Sequence, residues 1–200
     1  MGLTIHYQGS LTDRNKIDQL RDELIDISND MGWKYTLVEP DDLDDDSHPP
    51  LYGIVIDMEN GCESLSFIFD KSGRIRSLAA LMYYDESAKY QLTDSIKTQF
   101  ASPDEHICII NLLRYIKKVY IKNLKVFDEG EYWESSNKDR LVYLFDFLNQ
   151  KIQMIGDILE ANKSALEKCS DQDILVNKLS ELFKKHFGPD IDIKQINAPD

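Results

Sequence analysis

The sequence predicts an α+β domain, with strands concentrated in its first half and helices in its second. Short segments at residues 3–8, 33–38, 52–58, 65–69 and 75–84 are apolar or alternate apolar with polar residues, the period of a strand. Segments at 12–31, 103–120, 137–160 and 171–186 instead repeat apolar residues at three- and four-residue spacing, the period of a helix. Gly, Pro, Asn and Asp clusters separate them. The expected architecture is a mixed sheet of about five strands, an N-terminal β-α-β unit beside a meander, packed with about three to four helices. Residues 1–160 are expected to form the single α+β domain. A C-terminal helix at 161–189 is packed on or appended to it, and 190–200 forms a flexible tail.

The first strand is Leu3 to Gln8, closed by Gly9-Ser10. Thr12 then reads as the N-cap of a helix with Ile17, Leu20, Leu24, Ile27 and Met31 on one stripe, and Gly32 stops it. Alternation through Trp33, Tyr35 and Leu37 predicts a half-buried strand. Five aspartates between prolines at 40–50 form a surface loop, because so much like charge cannot be packed. That loop lacks the central glycine and distal glutamate of a calcium-binding loop, so no metal is assigned to it.

Tyr52 to Met58, Leu65 to Phe69 and Ile75 to Tyr84 read as a meander, with Lys71-Ser72-Gly73-Arg74 as a hairpin turn. Asn60-Gly61 is another turn dipeptide, which accounts for the acids and Cys62 around it. Residues 85–101 are ambiguous between a short helix and a loop. Ser102-Pro103-Asp104-Glu105 has the form of a capping box opening a helix, with Ile109, Leu112, Leu113, Ile116 and Tyr120 inward. Lys125-Val126-Phe127 is one more short strand. Ser135 or Ser136 is expected to cap the next helix, with Leu141, Leu144, Phe145, Leu148, Ile152, Ile155 and Leu159 buried. The last helix, 171–186, stops at Gly188-Pro189.

Composition bounds the function classes. Hydrophobic residues make up 42% and charged residues 30% of 200, values of an ordinary globular chain. Cys62, Cys108 and Cys169 are odd in number and widely spaced, which argues against a disulfide framework and for reduced thiols. With no basic-then-apolar leader and no apolar run of membrane-spanning length, a cytoplasmic protein without a membrane partner is expected. The formal net charge of −13 disfavours a nucleic-acid partner. The basic group Arg114, Lys117, Lys118, Lys122 and Lys125 is read as cations near a helix C-terminus.

Signatures of known chemistry are missing: no phosphate-binding glycine loop, no GxSxG elbow and no HExxH occur. One constellation does combine suitable groups. Lys97, Thr98, Gln99 and Phe100 precede the helix that carries His106 in its first turn, and Glu129, Glu131, Tyr132 and Trp133 follow it around Gly130, whose conformational freedom lets the backbone turn tightly. His106, Glu129 and Glu131 are the candidate catalytic residues, the imidazole as acid-base group and a glutamate as its orienter. Lys97, Gln99, Tyr132 and Trp133 are the candidate ligand-binding residues. No metal and no cofactor are assigned.

The segments Lys97-Thr98-Gln99-Phe100-Ala101, Pro103 to His106, Leu112-Leu113-Arg114-Tyr115 and Asp128-Glu129-Gly130-Glu131-Tyr132-Trp133-Glu134 resemble a family of uncharacterised bacterial proteins. The likeness spans the middle two thirds of the chain and leaves out the last helix. It implies a bacterial origin and, because that family has no assigned activity, transfers no catalytic residue.

Two functions are therefore expected in order: a non-enzymatic interaction or adaptor protein with an acidic surface and a protein partner, then a small-molecule binder or enzyme around His106, Glu129, Glu131 and Trp133. A homodimer through the helices of 137–160 and 171–186 is a separate expectation.

Overall fold

The computed structural model describes residues 2–39, 50–58, 61–82, 89–169 and 171–187, and it is α+β. β1 (Thr4–Gln8) buries Ile5 and Tyr7 and turns Thr4, His6 and Gln8 outward, as its alternation requires. After a 3-10 turn at Arg14–Lys16 comes α1 (Ile17–Met31), with Leu20 and Leu24 on its buried stripe. Thr12 does not cap this helical run. The Asp13 carboxylate, one residue on, accepts from Asn15 N at 3.0 Å. Gly32 ends α1 at φ 71°, where a side chain would strain the backbone.

β2 (Lys34–Val38), β3 (Tyr52–Asp57), β4 (Leu65–Phe69) and β5 (Ile75–Arg76) form one antiparallel sheet in sequence order. β6 (Asp94–Lys97) and β7 (Lys125–Asp128) flank β1 in a second antiparallel sheet, ordered β6-β1-β7. The expected single mixed sheet with a β-α-β start is thus corrected. β1 takes both its neighbours from the second half of the chain, so α1 connects two sheets instead of crossing to a parallel strand. β2 is consequently an edge strand, with Lys34 to Leu37 exposed and only Val38 buried.

The two sheets are fastened at a corner. Beyond β1, Gly9 O accepts from Ile75 N at 2.9 Å, and Leu11 N donates to Gly73 O at 2.8 Å. Deeper in, the Tyr7 hydroxyl donates to Ser66 O at 2.7 Å and lies 3.1 Å from Asp94, which also binds the Ser66 hydroxyl. Burial pushes the Tyr7 hydroxyl and the Asp94 carboxyl above their ordinary pKa ranges. In the hairpin after β4, Asp70 accepts from Ser72 N, Arg74 Nε and the fully buried Arg76, so this charge is paired as burial demands. β5 ends at Arg76, short of Tyr84. Ser77 N is taken by Gln91 O and Leu78 N by Asp94, which turns the chain into a 3-10 segment at Leu78–Leu81.

α2 (Pro103–Val119) has the capping box read from sequence, Ser102 and Glu105 each accepting the other's backbone N–H. It brings Ile109, Leu113 and Ile116 into the core that Ile5, Tyr7, Phe67 and Leu24 share. α3 (Tyr132–Ser135) is a single turn ending at Ser136, which has a φ of 52° and caps nothing that follows. Asn137 instead caps α4 (Lys138–Ala161), its side chain accepting from Arg140 N at 3.0 Å. Leu141 and Phe145 of α4 are buried, whereas Ile152 and Ile155 are exposed, contrary to expectation.

The chain divides into compact units Met1–Leu148 and Asn149–Asp200. The second contains the end of α4, then α5 (Lys163–Leu166) and α6 (Gln172–Phe187), with Ile158 buried and Lys178 Nζ donating to Ala165 O at 2.9 Å. The aspartate-rich stretch 40–49, Asn60 and the Gly188-Pro189 stop lie outside the described residues. No helix among the described residues is long and apolar enough to cross a membrane.

Candidate functional site

β6 ends at Lys97, and the chain buries Thr98 before turning into α2. His106, one turn into that helix, is wholly enclosed. Its Nδ1 lies 2.7 Å from Thr98 Oγ1 and its Nε2 lies 3.0 Å from Asp128 Oδ1. The contact is electrostatic and off the line of a well-formed hydrogen bond; because an ionised carboxylate can only accept, the nitrogen facing it is the protonated one. Phe145 closes the site from α4, its ring edge-on at 6.0 Å from the imidazole.

Asp128 has more than one partner. Oδ1 accepts from Gly130 N at 2.7 Å, and Oδ2 accepts from Tyr132 N and Trp133 N at 2.8 and 2.9 Å. Burial alone would raise this carboxyl, but the His106 hydrogen bond and charge, with the Trp133 and Gly130 N–H groups, outweigh it and hold the pKa below its ordinary value. Gly130 is required by proximity: a Cβ there would sit 2.7 Å from Leu141 Cδ1 and 2.8 Å from His106 Nε2.

Arg114 of α2 holds the same segment from outside. Its Nη2 donates to Tyr132 O, Trp133 O and the Ser136 hydroxyl at 3.1, 2.9 and 2.8 Å. The guanidinium also lies 5.5 and 5.7 Å from the Tyr132 and Trp133 ring centres, a cation–π arrangement.

The remaining sequence candidates go elsewhere. Glu129 carboxylate accepts from Thr4 N at 2.9 Å and extends the β1–β7 pairing. Glu131 is exposed and forms a two-pronged ion pair with Arg140, at 3.0 and 3.2 Å. Lys97 Nζ lies 5.7 Å from the Phe100 ring, and its backbone pairs with Glu63. Gln99 is buried, while Tyr132 and Trp133 are half-buried against the core. Thus His106 does not meet Glu129, Glu131 or Lys97. Of its partners, Thr98 stands in the constellation read from sequence but with no role assigned, and neither Asp128 nor the clamp Arg114 is among the candidates. Each has an ordinary local reading, and only the fold brings them together.

Chemically, hydroxyl, imidazole and carboxylate in series form a proton relay of the kind that activates a nucleophile. Here the relay is sealed. Thr98, His106 and Asp128 are all buried, and none lines the clefts of about 310, 210 and 120 Å3 found elsewhere on the first unit. The arrangement ties β6, α2, β7 and the α3 turn together. Among the described residues no group of His, Cys, Asp or Glu side chains could hold a metal ion. No protein-family model, no curated protein and no solved structure matches this chain.

Proposed function

We propose that the chain is a non-enzymatic interaction module that takes up an extended, basic segment of a partner protein along β2. The observation that carries this reading is the outer edge of that strand. β2 pairs only with β3 among the described strands, yet it holds Tyr35 and Leu37 at 38% and 36% exposure on the face that carries Ile54 and Ile56. An edge strand with exposed apolar residues is a template for one more strand, which supplies affinity through backbone hydrogen bonds and specificity through alternate side chains.

Charge defines the partner. α1 packs beside β2, and Arg21 reaches Glu39 just past it. Asp18, Asp22 and Asp26 follow one another at four-residue spacing on the exposed side of α1. Arg21 already pairs with Asp18 at 3.2 Å, but Asp22 and Asp26 repel each other at a spacing that costs roughly 0.2–0.5 kcal/mol, which a basic partner would offset. The His106 relay supports the same reading, since its polar groups are consumed in holding the fold.

The test is a titration of isotope-labelled protein with an alternating Lys-Val peptide, an Asp-Val peptide of equal length, and a Lys-Val peptide N-methylated along one edge. Amide shifts and exchange protection at residues 34–38 with the basic peptide alone are expected. Equal binding by all three peptides, or shifts confined to other strands, would overturn the reading.

A further inference from the structure

The outer face of the β6-β1-β7 sheet is a second surface, separate from the β2 edge. By register it displays Ser95, His6 and Phe127 in one row across the strands, with Gln8 and Lys125 paired in the next. None of these side chains is buried. A solvated face on an antiparallel sheet is ordinary, but Phe127 is not: its ring is 65% exposed, and its centre lies 6.0 Å from the His6 ring. Burying that ring on the solvent side would be favourable, so a planar group laid on it gains apolar contact and stacking.

Two clefts run along this face. One, about 120 Å3, is lined by His6, Gln8, Thr93, Lys125 and Phe127. The other, about 310 Å3, is lined by Gln8, Ser10, Arg74, Asn123 and Lys125. They share Gln8 and Lys125, so they adjoin. No carboxylate side chain lines either cleft, although the chain has 36 Asp and Glu against 23 Lys and Arg. Arg74 keeps its bond to Asp70, whereas the Lys125 side chain makes no hydrogen bond, ion pair or ring contact among the described residues. Asn123 and Ser10 are already paired, Asn123 Oδ1 accepting from Ser10 N at 3.0 Å and Nδ2 donating to the Ser10 hydroxyl at 2.9 Å, which fixes part of the polar lining.

We propose that these adjoining clefts bind a small ligand made of a planar heteroaromatic ring and an anionic group, a mononucleotide being the simplest member of the class. The ring stacks on Phe127 beside His6, and the anion lies between Lys125 and Arg74. The cleft of about 310 Å3 is at the low end of ligand sites, roughly 300–1,000 Å3, and the one of about 120 Å3 only extends it, which suits one ring and one anion and not a dinucleotide. Stacking alone or an anion contact alone is weak in water, so the two parts are expected to bind together far better than apart.

The experiment compares adenosine 5′-monophosphate, adenosine and inorganic phosphate by calorimetry and amide chemical-shift mapping on the full chain. The monophosphate is expected to saturate the protein, with adenosine and phosphate each at least about tenfold weaker, and shifts centred on His6, Gln8, Asn123 and Phe127. Phe127→Ala should weaken the monophosphate and adenosine and leave phosphate unchanged; Lys125→Ala should weaken the monophosphate and phosphate and leave adenosine unchanged. Both side chains are exposed, and an unchanged amide spectrum confirms that each variant folds. Absence of saturation to about 10 mM overturns the site, as do shifts centred elsewhere or an affinity that neither substitution alters. The β2 peptide titration is unaffected by any of these results, so the two readings stand or fall separately.

Discussion

A Cβ placed on Gly130 would stand 2.8 Å from Nε2 of His106, the atom that lies 3.0 Å from Asp128 Oδ1. The imidazole cannot retreat, because Thr98 holds its other nitrogen at 2.7 Å and Phe145 stands edge-on to its ring. Gly130→Ala is therefore expected to destabilise the first unit by about 1–3 kcal/mol, the usual cost of overpacking. Urea unfolding followed by circular dichroism measures this directly. A variant as stable as the parent would mean that the α3 turn shifts freely.

Asp128 accepts three backbone N–H groups besides the imidazole, so Asp128→Ala leaves several buried donors unpaired. A loss of about 3 kcal/mol or more is expected.

The same carboxylate makes stability depend on acid. Its folded pKa is depressed by the His106 hydrogen bond and charge and by backbone donors despite burial, and that of Asp70 by the Arg74 and Ser72 N–H groups and both arginines despite burial. A depressed carboxylate binds fewer protons folded than unfolded below its ordinary pKa. Its contribution is thus complete above about pH 5 and is lost as pH falls through the folded value. Unfolding free energy should drop steeply below about pH 4, and Asp128→Asn should flatten that slope while lowering stability at pH 7. A slope unchanged by the substitution would remove Asp128 from the account.

Arg114→Lys keeps the charge and loses the planar guanidinium that lies over Tyr132 and Trp133 and places Nη2 on two carbonyls and a hydroxyl. A loss of about 1–2 kcal/mol is expected, with a shift in Trp133 emission measured in a Trp33→Phe background. Emission identical to the parent would show that the ammonium replaces the guanidinium.

Cys62 is pushed up to about 11 by burial, reinforced by the Glu105 charge and by Cys108. Burial likewise raises Cys108, with Glu105 adding to it. Near pH 7.5 both should react with iodoacetamide far more slowly than a model thiol, as peptide mass spectrometry can time. Fast labelling of Cys62 in folded protein would contradict the described packing.

Much of this fold was legible where the signal is local. The Ser102–Glu105 capping box, Gly32 at the end of α1, Gly73 in the hairpin and the Ile109–Ile116 stripe each rest on a few neighbouring residues. Strand partners were not legible, because nothing near β1 states that residues 94–97 and 125–128 complete its sheet. The candidate site divides in the same way. His106 and the turn after β7 were visible as chemistry, but Thr98 and Asp128 become its partners only when β6 and β7 converge. Gly130 was read as conformational freedom; its φ is not positive, and Glu131 beside it takes the left-handed conformation at φ 58°. What Gly130 supplies is the space its missing side chain leaves.

The placement of β1 between two late strands has a temporal consequence. The sheet of β2 to β5 is closed by connections between successive strands, so it can form while the ribosome is still extending the chain. β1 emerges before both of its neighbours and gains the second only when Asp128 has left the exit tunnel. Its backbone edge toward β7 must stay unpaired through most of synthesis of the first unit, even where Tyr7 already packs on Phe67. The strand of this sheet that is made first is among the last to be secured, and the interval before β7 arrives is when misassembly threatens most.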